Sequence, residues 1–311
     1  MRLDLLGADG VFCSADAAAH GLDGHALSRL VRSGVCLRLT RGWYAVAPVT
    51  PPSPESLHAL TATALGRANA SRAAVSHHSA LVLHGLPTYA VDLATVHLTS
   101  LPLSSGGRVP NAATRRSGLV IHRPVPGLVV PTATDRVGAS VTTTVPLAVA
   151  VVQTGLVHGP EAALVAADAA IARGLVNRDK LAGAVERLAG HHGMATVRAA
   201  LGHADGRHES PGESRTAYVL RCLGFELEPQ VEILAEGRRF RADFRVTGTR
   251  VLVEFDGAVK YVDRAALFEE KQREDALRRA GWIVVRVVWA DLAEPGRLRR
   301  RLSNALAQAA A

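Results

Sequence analysis

The chain has 311 residues, which predicts two or three domains. Hydrophobic residues make up 48% and the three cysteines, Cys13, Cys36 and Cys222, stand far apart, which excludes a disordered chain, a disulfide framework and a Cys-x-x-Cys zinc site. The formal net charge of +8 favours a polyanionic partner, and nucleic acid is the usual one.

That charge is distributed, +1 over 1–48, +4 over 49–205 and +3 over 206–311, so the fold has to assemble any binding patch. All but three of the 36 basic residues are Arg, whose donor fork suits phosphates and guanine edges; GC-rich coding explains the same bias. The opening MRLDLLGADG has no long apolar run, so no signal peptide is expected. The longest apolar stretch, Val145 to Val152, is too short to span a bilayer. The expectation is a cytoplasmic protein without membrane contact.

Residues 9–47 read as helix, turn, helix, hairpin. Ser14 is the expected N-cap of a helix from Ala15 to His20 that Gly21 stops. A second helix is expected from Asp23 to Ser33, with Leu27, Leu30 and Val31 as its buried stripe. Strands follow at Val35–Leu39 and Trp43–Val46, joined by Thr40-Arg41-Gly42. This order is that of a winged helix, in which the second helix enters the major groove and the wing touches backbone. His25, Ser28, Arg29 and Arg32 on the helix and Arg38 and Arg41 on the wing are the expected DNA contacts; a protein-docking module with solvated arginines fits the same pattern. The apolar alternation and the closing R-x-T-R-G-x-Y-A resemble the N-terminal domain of AbiEi-type antitoxins of type IV toxin–antitoxin systems. That resemblance implies operator binding and repression of the domain's own operon.

The proline run Pro48 to Pro54 is expected to separate this domain, 1–48, from a mostly helical, mixed α/β middle domain, 49–205. A helix is expected over 55–69, and SHHSALVLHGLP resembles the next part of the same antitoxin family. Short strands are expected at Thr95–Thr99 and Leu119–His122, a loop from Ser100 to Arg116, and helices near 146–153, 160–173, 178–188 and 194–201. His77, His78, His84, His191 and His192 suggest metal, but adjacent helical residues point about 100° apart and chelate poorly. They are therefore taken as structural or surface histidines. A scaffold or dimerising role is left for this region, and a homodimer is one expected assembly.

From 206 to 311 the expected order is helix 211–223, strands 229–234, 239–246 and 250–255, helix 264–280, strand 282–288 and helix 295–309. Alternation puts Glu254 and Asp256 on one face of the apolar strand that ends in Glu254-Phe255-Asp256-Gly257. A hairpin at Gly248 brings Asp243 opposite Glu254, and Glu213 sits one turn into the first helix. Clustered carboxylates are costly without a cation, and such hard oxygen ligands suit Mg²⁺ or Mn²⁺. A bound Mg²⁺ would activate water and neutralise a pentacovalent phosphate, with Lys260 or Lys271 orienting the water and Arg273 clamping a phosphate. Salt bridges from the acids to Arg239, Arg241 or Arg245 are the structural alternative.

The phrases ESPGESRTAYVLRCLGF, RRFRADFRV, RVLVEFDGAVKY and EEKQREDALRRAGW together resemble the domain related to very-short-patch repair endonucleases in the PD-(D/E)XK superfamily. The resemblance implies a restriction-endonuclease-like α/β core with Glu213, Asp243, Glu254 and Asp256 as catalytic, metal-binding acids. Two positions depart from the pattern. Asp256 stands where the motif has Lys, and Ala242 replaces the Pro before Asp243. T·G mismatch repair is not carried over, because the histidines and zinc site of those enzymes are unmatched.

Two functions follow. One is a Mg²⁺-dependent DNA endonuclease delivered by a winged helix, with no small-molecule cofactor. The other is an AbiEi-like antitoxin and transcriptional regulator whose nuclease fold is inactive or repurposed.

Overall fold

A computed structural model describes residues 9–101, 113–130, 142–257 and 264–311. The chain forms two compact units, one of Met1–Ala163 with Val176–Arg198 and one of Leu164–Leu175 with Ala199–Ala311.

The first unit opens with β1 (Val11–Cys13), α1 (Ser14–Ala19), α2 (Gly24–Arg32), β2 (Cys36–Thr40) and β3 (Trp43–Val46). The strands form an antiparallel sheet in the order β1-β3-β2. Helix, helix and a hairpin with one added strand make a winged helix-turn-helix. The three-residue β1 escaped sequence reading because it is too short to show a period. Ser14 is not the cap of α1. That position belongs to Cys13, whose N–H donates to the Asp16 carboxylate at 2.8 Å. Asp23 caps α2 by accepting from Ala26 N at 2.7 Å. Leu27 is buried with Phe12, Ala17, Leu22 and Cys36, and Leu30 and Val31 pack against them.

The remaining elements of this region are α3 (Pro54–Ala68), β4 (Ala73–Val75), α4 (His77–Leu83), β5 (Val96–Ser100), β6 (Thr114–Arg116), β7 (Leu119–His122), α5 (Leu147–His158), α6 (Pro160–Ala172), α7 (Arg178–Arg187) and α8 (Met194–Leu201). Ala64 of α3 is buried with Val11 and Ala45 of the winged-helix sheet, so the proline run does not part α3 from it. A four-stranded sheet, β4-β5-β7-β6, accompanies these helices, with β5 and β7 parallel. Its strands are only three to five residues long, and two of them, β4 and β6, were not expected. Strand β6 lies at the end of the segment read as a loop, most of which falls outside the described residues.

In the second unit every element expected between 211 and 309 is present, with ends moved by one or two residues. They are α9 (Pro211–Cys222), β8 (Leu227–Ala235), β9 (Arg238–Val246), β10 (Val251–Phe255), α10 (Arg264–Arg279), β11 (Ile283–Val287) and α12 (Pro295–Ala310); a short α11 (Trp289–Leu292) is added. The sheet order is β11-β10-β9-β8, with β10 and β11 parallel and the other pairs antiparallel. Strand alternation explains the layers. Val251 and Val253 face α9 and α12 through Leu220, Leu298 and Leu302, while Leu252 faces α10 through Ala276 and Leu277. A buried pair, His208 Nδ1 to Asp168 Oδ2 at 2.6 Å, ties the second half of α6 to the segment before α9. No helix among the described residues is long and apolar enough to cross a membrane.

Candidate functional site

The acidic cluster sits where α9, β8, β9 and β10 meet. The register Leu252↔Arg245 and Val253↔Phe244 carries Glu254 opposite Asp243, as the hairpin at Gly248 predicts. Asp243 Oδ2 accepts from Phe255 N at 2.8 Å. Burial, with Glu213 and Glu254 nearby, raises the Asp243 carboxyl to about 6, against the lowering effect of the Phe255 amide and of Arg273. Three of the four expected acids therefore share one electrostatic neighbourhood.

Glu213 is held by the protein itself. Its Oε1 accepts from Ser210 Oγ at 2.8 Å, and its Oε2 accepts from Glu209 N and from Gln230 Nε2, each at 2.9 Å. Ser210 Oγ in turn accepts from Glu213 N at 3.1 Å, so Ser210 is the N-cap of α9 and the Glu213 carboxylate braces its hydroxyl. Gly212 lets this helix end approach the sheet. A Cβ there would lie 1.9 Å from the Phe255 ring.

Glu254 is engaged as well, by both terminal nitrogens of Arg273, one of them at 3.2 Å from Oε2. Arg273 Nη2 also donates to the Arg241 carbonyl at 2.9 Å. The expected phosphate clamp is thus spent on an acid of the cluster, because a bidentate carboxylate stands within its reach. Of the arginines expected as alternative partners, Arg241 bonds Glu209 at 2.8 Å, Arg245 bonds Glu228 and Arg239 lies 3.7 Å from Glu232. Asp256 follows β10, half-buried, with its N–H donating to Val287 O at 2.8 Å. Lys271 is exposed on α10 and is not a partner of Glu213, Asp243 or Glu254. Lys260 lies outside the described residues.

Among the described residues, the groups of three or more ligand-type side chains whose donor atoms lie within 4.8 Å of one another are histidine triads, and neither contains an acid. Glu213 and Glu254 as they stand are satisfied by protein donors, so the cluster does not fit a shared Mg²⁺ or Mn²⁺ ion unless Arg273 moves away.

On the winged helix, His25, Ser28, Arg29 and Arg32 are exposed on α2, and Arg38 and Arg41 are exposed at the hairpin. All six expected contacts face solvent. Ser28 Oγ is bonded to Gly24 O at 2.8 Å along its own helix.

The histidines depart most from expectation. His77 and His78 are buried, and α3, α4, β5, β7 and α5 bring them beside His58, His97, His122 and His158. Two triads result, His77/His97/His122 and His78/His97/His158. The adjacent pair does not converge on one point, as helical geometry requires; each member joins a different triad. His77 and His122 border a cavity of about 980 Å³ also lined by Arg123, Arg187, His191 and His192. The available sequence signal was the concentration of histidine on short apolar elements, where a polar ring needs a partner.

Residues 3–47 match the family described as "Transcriptional regulator, AbiEi antitoxin", the segment that carries the winged helix. Two proteins of Mycobacterium tuberculosis, "Uncharacterized protein MT2308" and "Uncharacterized protein Rv2248", are each 33% identical to this chain over 150 residues. Each alignment covers 47% of this chain and 55% of the relative, so the chain spans about half the length of the curated relatives it matches. The N-terminal segment of this chain is thus similar to AbiEi antitoxin regulators.

Proposed function

We propose that the chain is a DNA-binding transcriptional regulator of the AbiEi antitoxin kind. The observation that carries this reading is the family match over 3–47, on a winged helix whose solvent face presents Arg29, Arg32, Arg38 and Arg41. Helix α2 enters the major groove and the β2–β3 wing follows the phosphates. The protein works in the cytoplasm, as a homodimer that reads paired half-sites. A gel-shift titration with DNA from upstream of its own coding region tests the reading. Retarded complexes that weaken in Arg29→Ala and Arg32→Ala are expected; no binding to this or to random duplex DNA sinks it.

A second reading is a Mg²⁺-dependent endodeoxyribonuclease in the second unit, with a restriction-endonuclease-like core. It is favoured by Asp243, whose carboxyl is raised to about 6 beside two further acids. In this reading Asp243, Asp256, Glu213 and Glu254 would hold the ion once Arg273 had left Glu254 for a DNA phosphate. The ion would supply an activated water, which Lys260 or Lys271 would orient. Incubating plasmid, linear and single-stranded DNA with Mg²⁺ or Mn²⁺ decides it. Cleavage that Asp243→Ala abolishes supports the enzyme, and intact substrates in every lane refute it.

A further inference from the structure

We propose that His78, His97 and His158 bind one divalent transition-metal ion of the zinc class. Each offers one ring nitrogen, and these atoms lie within 4.8 Å of one another. With metal–nitrogen bonds of about 2.0–2.1 Å at tetrahedral angles, imidazole centroids stand about 5 Å apart. The observed separations are 4.8 Å for His78–His97, 4.7 Å for His78–His158 and 5.9 Å for His97–His158. The other triad fits less well. His77 and His122 are stacked at 3.9 Å with 24° between their planes, closer than the about 5 Å that tetrahedral angles need.

Hydrogen bonds fix which nitrogens face inward. His78 Nε2 lies 3.1 Å from the Thr95 carbonyl, which only accepts, so Nε2 carries the proton and Nδ1 the lone pair. That Nδ1 is 3.0 Å from His158 Nε2. His97 Nδ1 is 3.1 Å from His122 Nε2, which leaves His97 Nε2 for the ion. Both arrangements match the outer-shell partners that orient ligating histidines. His97 belongs to both triads, and a neutral imidazole has one lone pair, so a single ion is bound at a time.

His58 is not a ligand. Its Nδ1 is bonded to Leu93 O at 2.8 Å and its Nε2 to Ser79 Oγ at 2.9 Å. Three protein ligands leave a coordination position for water, which is the pattern of open zinc sites.

The full chain is stripped with chelator and titrated with Co²⁺, followed by visible absorption, then with Zn²⁺ in competition. One equivalent per chain, with the intense bands of low-coordinate Co²⁺ bleached by Zn²⁺, is the expected result. His158 is half-buried at a helix end, so His158→Ala should keep its circular dichroism and lose at least ~10-fold in affinity. His97→Gln should do the same, and His77→Asn should retain the bands. Absent bands in the wild-type chain overturn the proposal. So do bands that survive in His158→Ala, or bands lost only in His77→Asn, which would place the ion in the other triad.

Discussion

Arg273 grips Glu254 with both terminal nitrogens while donating to the Arg241 carbonyl, so one guanidinium bridges α10, β10 and β9. The Glu254 side chain is only 12% exposed and that of Arg273 is 23% exposed, so little solvent screens the pair.

Removing the cation alone leaves a largely buried carboxylate without its partner. Arg273→Leu is expected to lower stability by about 3 kcal/mol in urea unfolding. Glu254→Gln/Arg273→Leu should recover most of that loss. A single variant as stable as the wild type would mean that the pair contributes little.

Asp243 supplies a pH-dependent test. Its folded value of about 6 lies above the ordinary 3.8, so the folded state holds the proton more tightly. Stability from this group is therefore present below about pH 4 and is lost as pH rises to about 6. Asp243→Asn keeps an acceptor for Phe255 N and removes the charge. Its melting temperature should exceed that of the wild type at pH 7 by the equivalent of about 1–2 kcal/mol, and the gap should close by pH 4. A gap independent of pH would count against this origin.

Gly212 has no room for a methyl group, since a Cβ would meet the Phe255 ring at 1.9 Å. Gly212→Ala should cost about 1–3 kcal/mol by overpacking, despite the better helix propensity of Ala. Pairing it with Phe255→Leu should return part of the loss, and a double-mutant cycle measures how much. Additive effects would show that the two sites do not touch.

DNA binding should weaken with salt in proportion to the phosphates contacted. Arg38→Ala or Arg41→Ala should lower the slope of log K against log salt by about 1 for each phosphate contact removed. Fluorescence anisotropy at several salt concentrations measures it. An unchanged slope would take the wing off the DNA.

Legibility differed between the regions for identifiable reasons. The second unit was readable because its strands are five to nine residues long and separated by turn residues such as Gly237, Gly248 and Gly281. Its hairpin spacing alone placed Asp243 opposite Glu254. The sheet of the first unit was half hidden, because three-residue strands such as Ala73–Val75 carry no measurable alternation. The exposure of His25, Ser28, Arg29, Arg32, Arg38 and Arg41 was legible from helix and hairpin periodicity, since exposure there needs only the local element.

The sequence by itself determined the winged helix, the order of elements after 206 and the pairing of Asp243 with Glu254 in the sheet of the second unit. Local periodicity, caps and turns are short-range, and they act whatever the rest of the chain does. Tertiary structure alone decided what those acids touch. It tied the Glu213 carboxylate to Gln230 across 17 residues of chain and paired Arg273 with Glu254 across 19. It also drew His78, His97 and His158 together from positions 80 residues apart. Side-chain partners separated so far in sequence are fixed only when strands register and helices pack, because both their distance and their desolvation are properties of the assembled core.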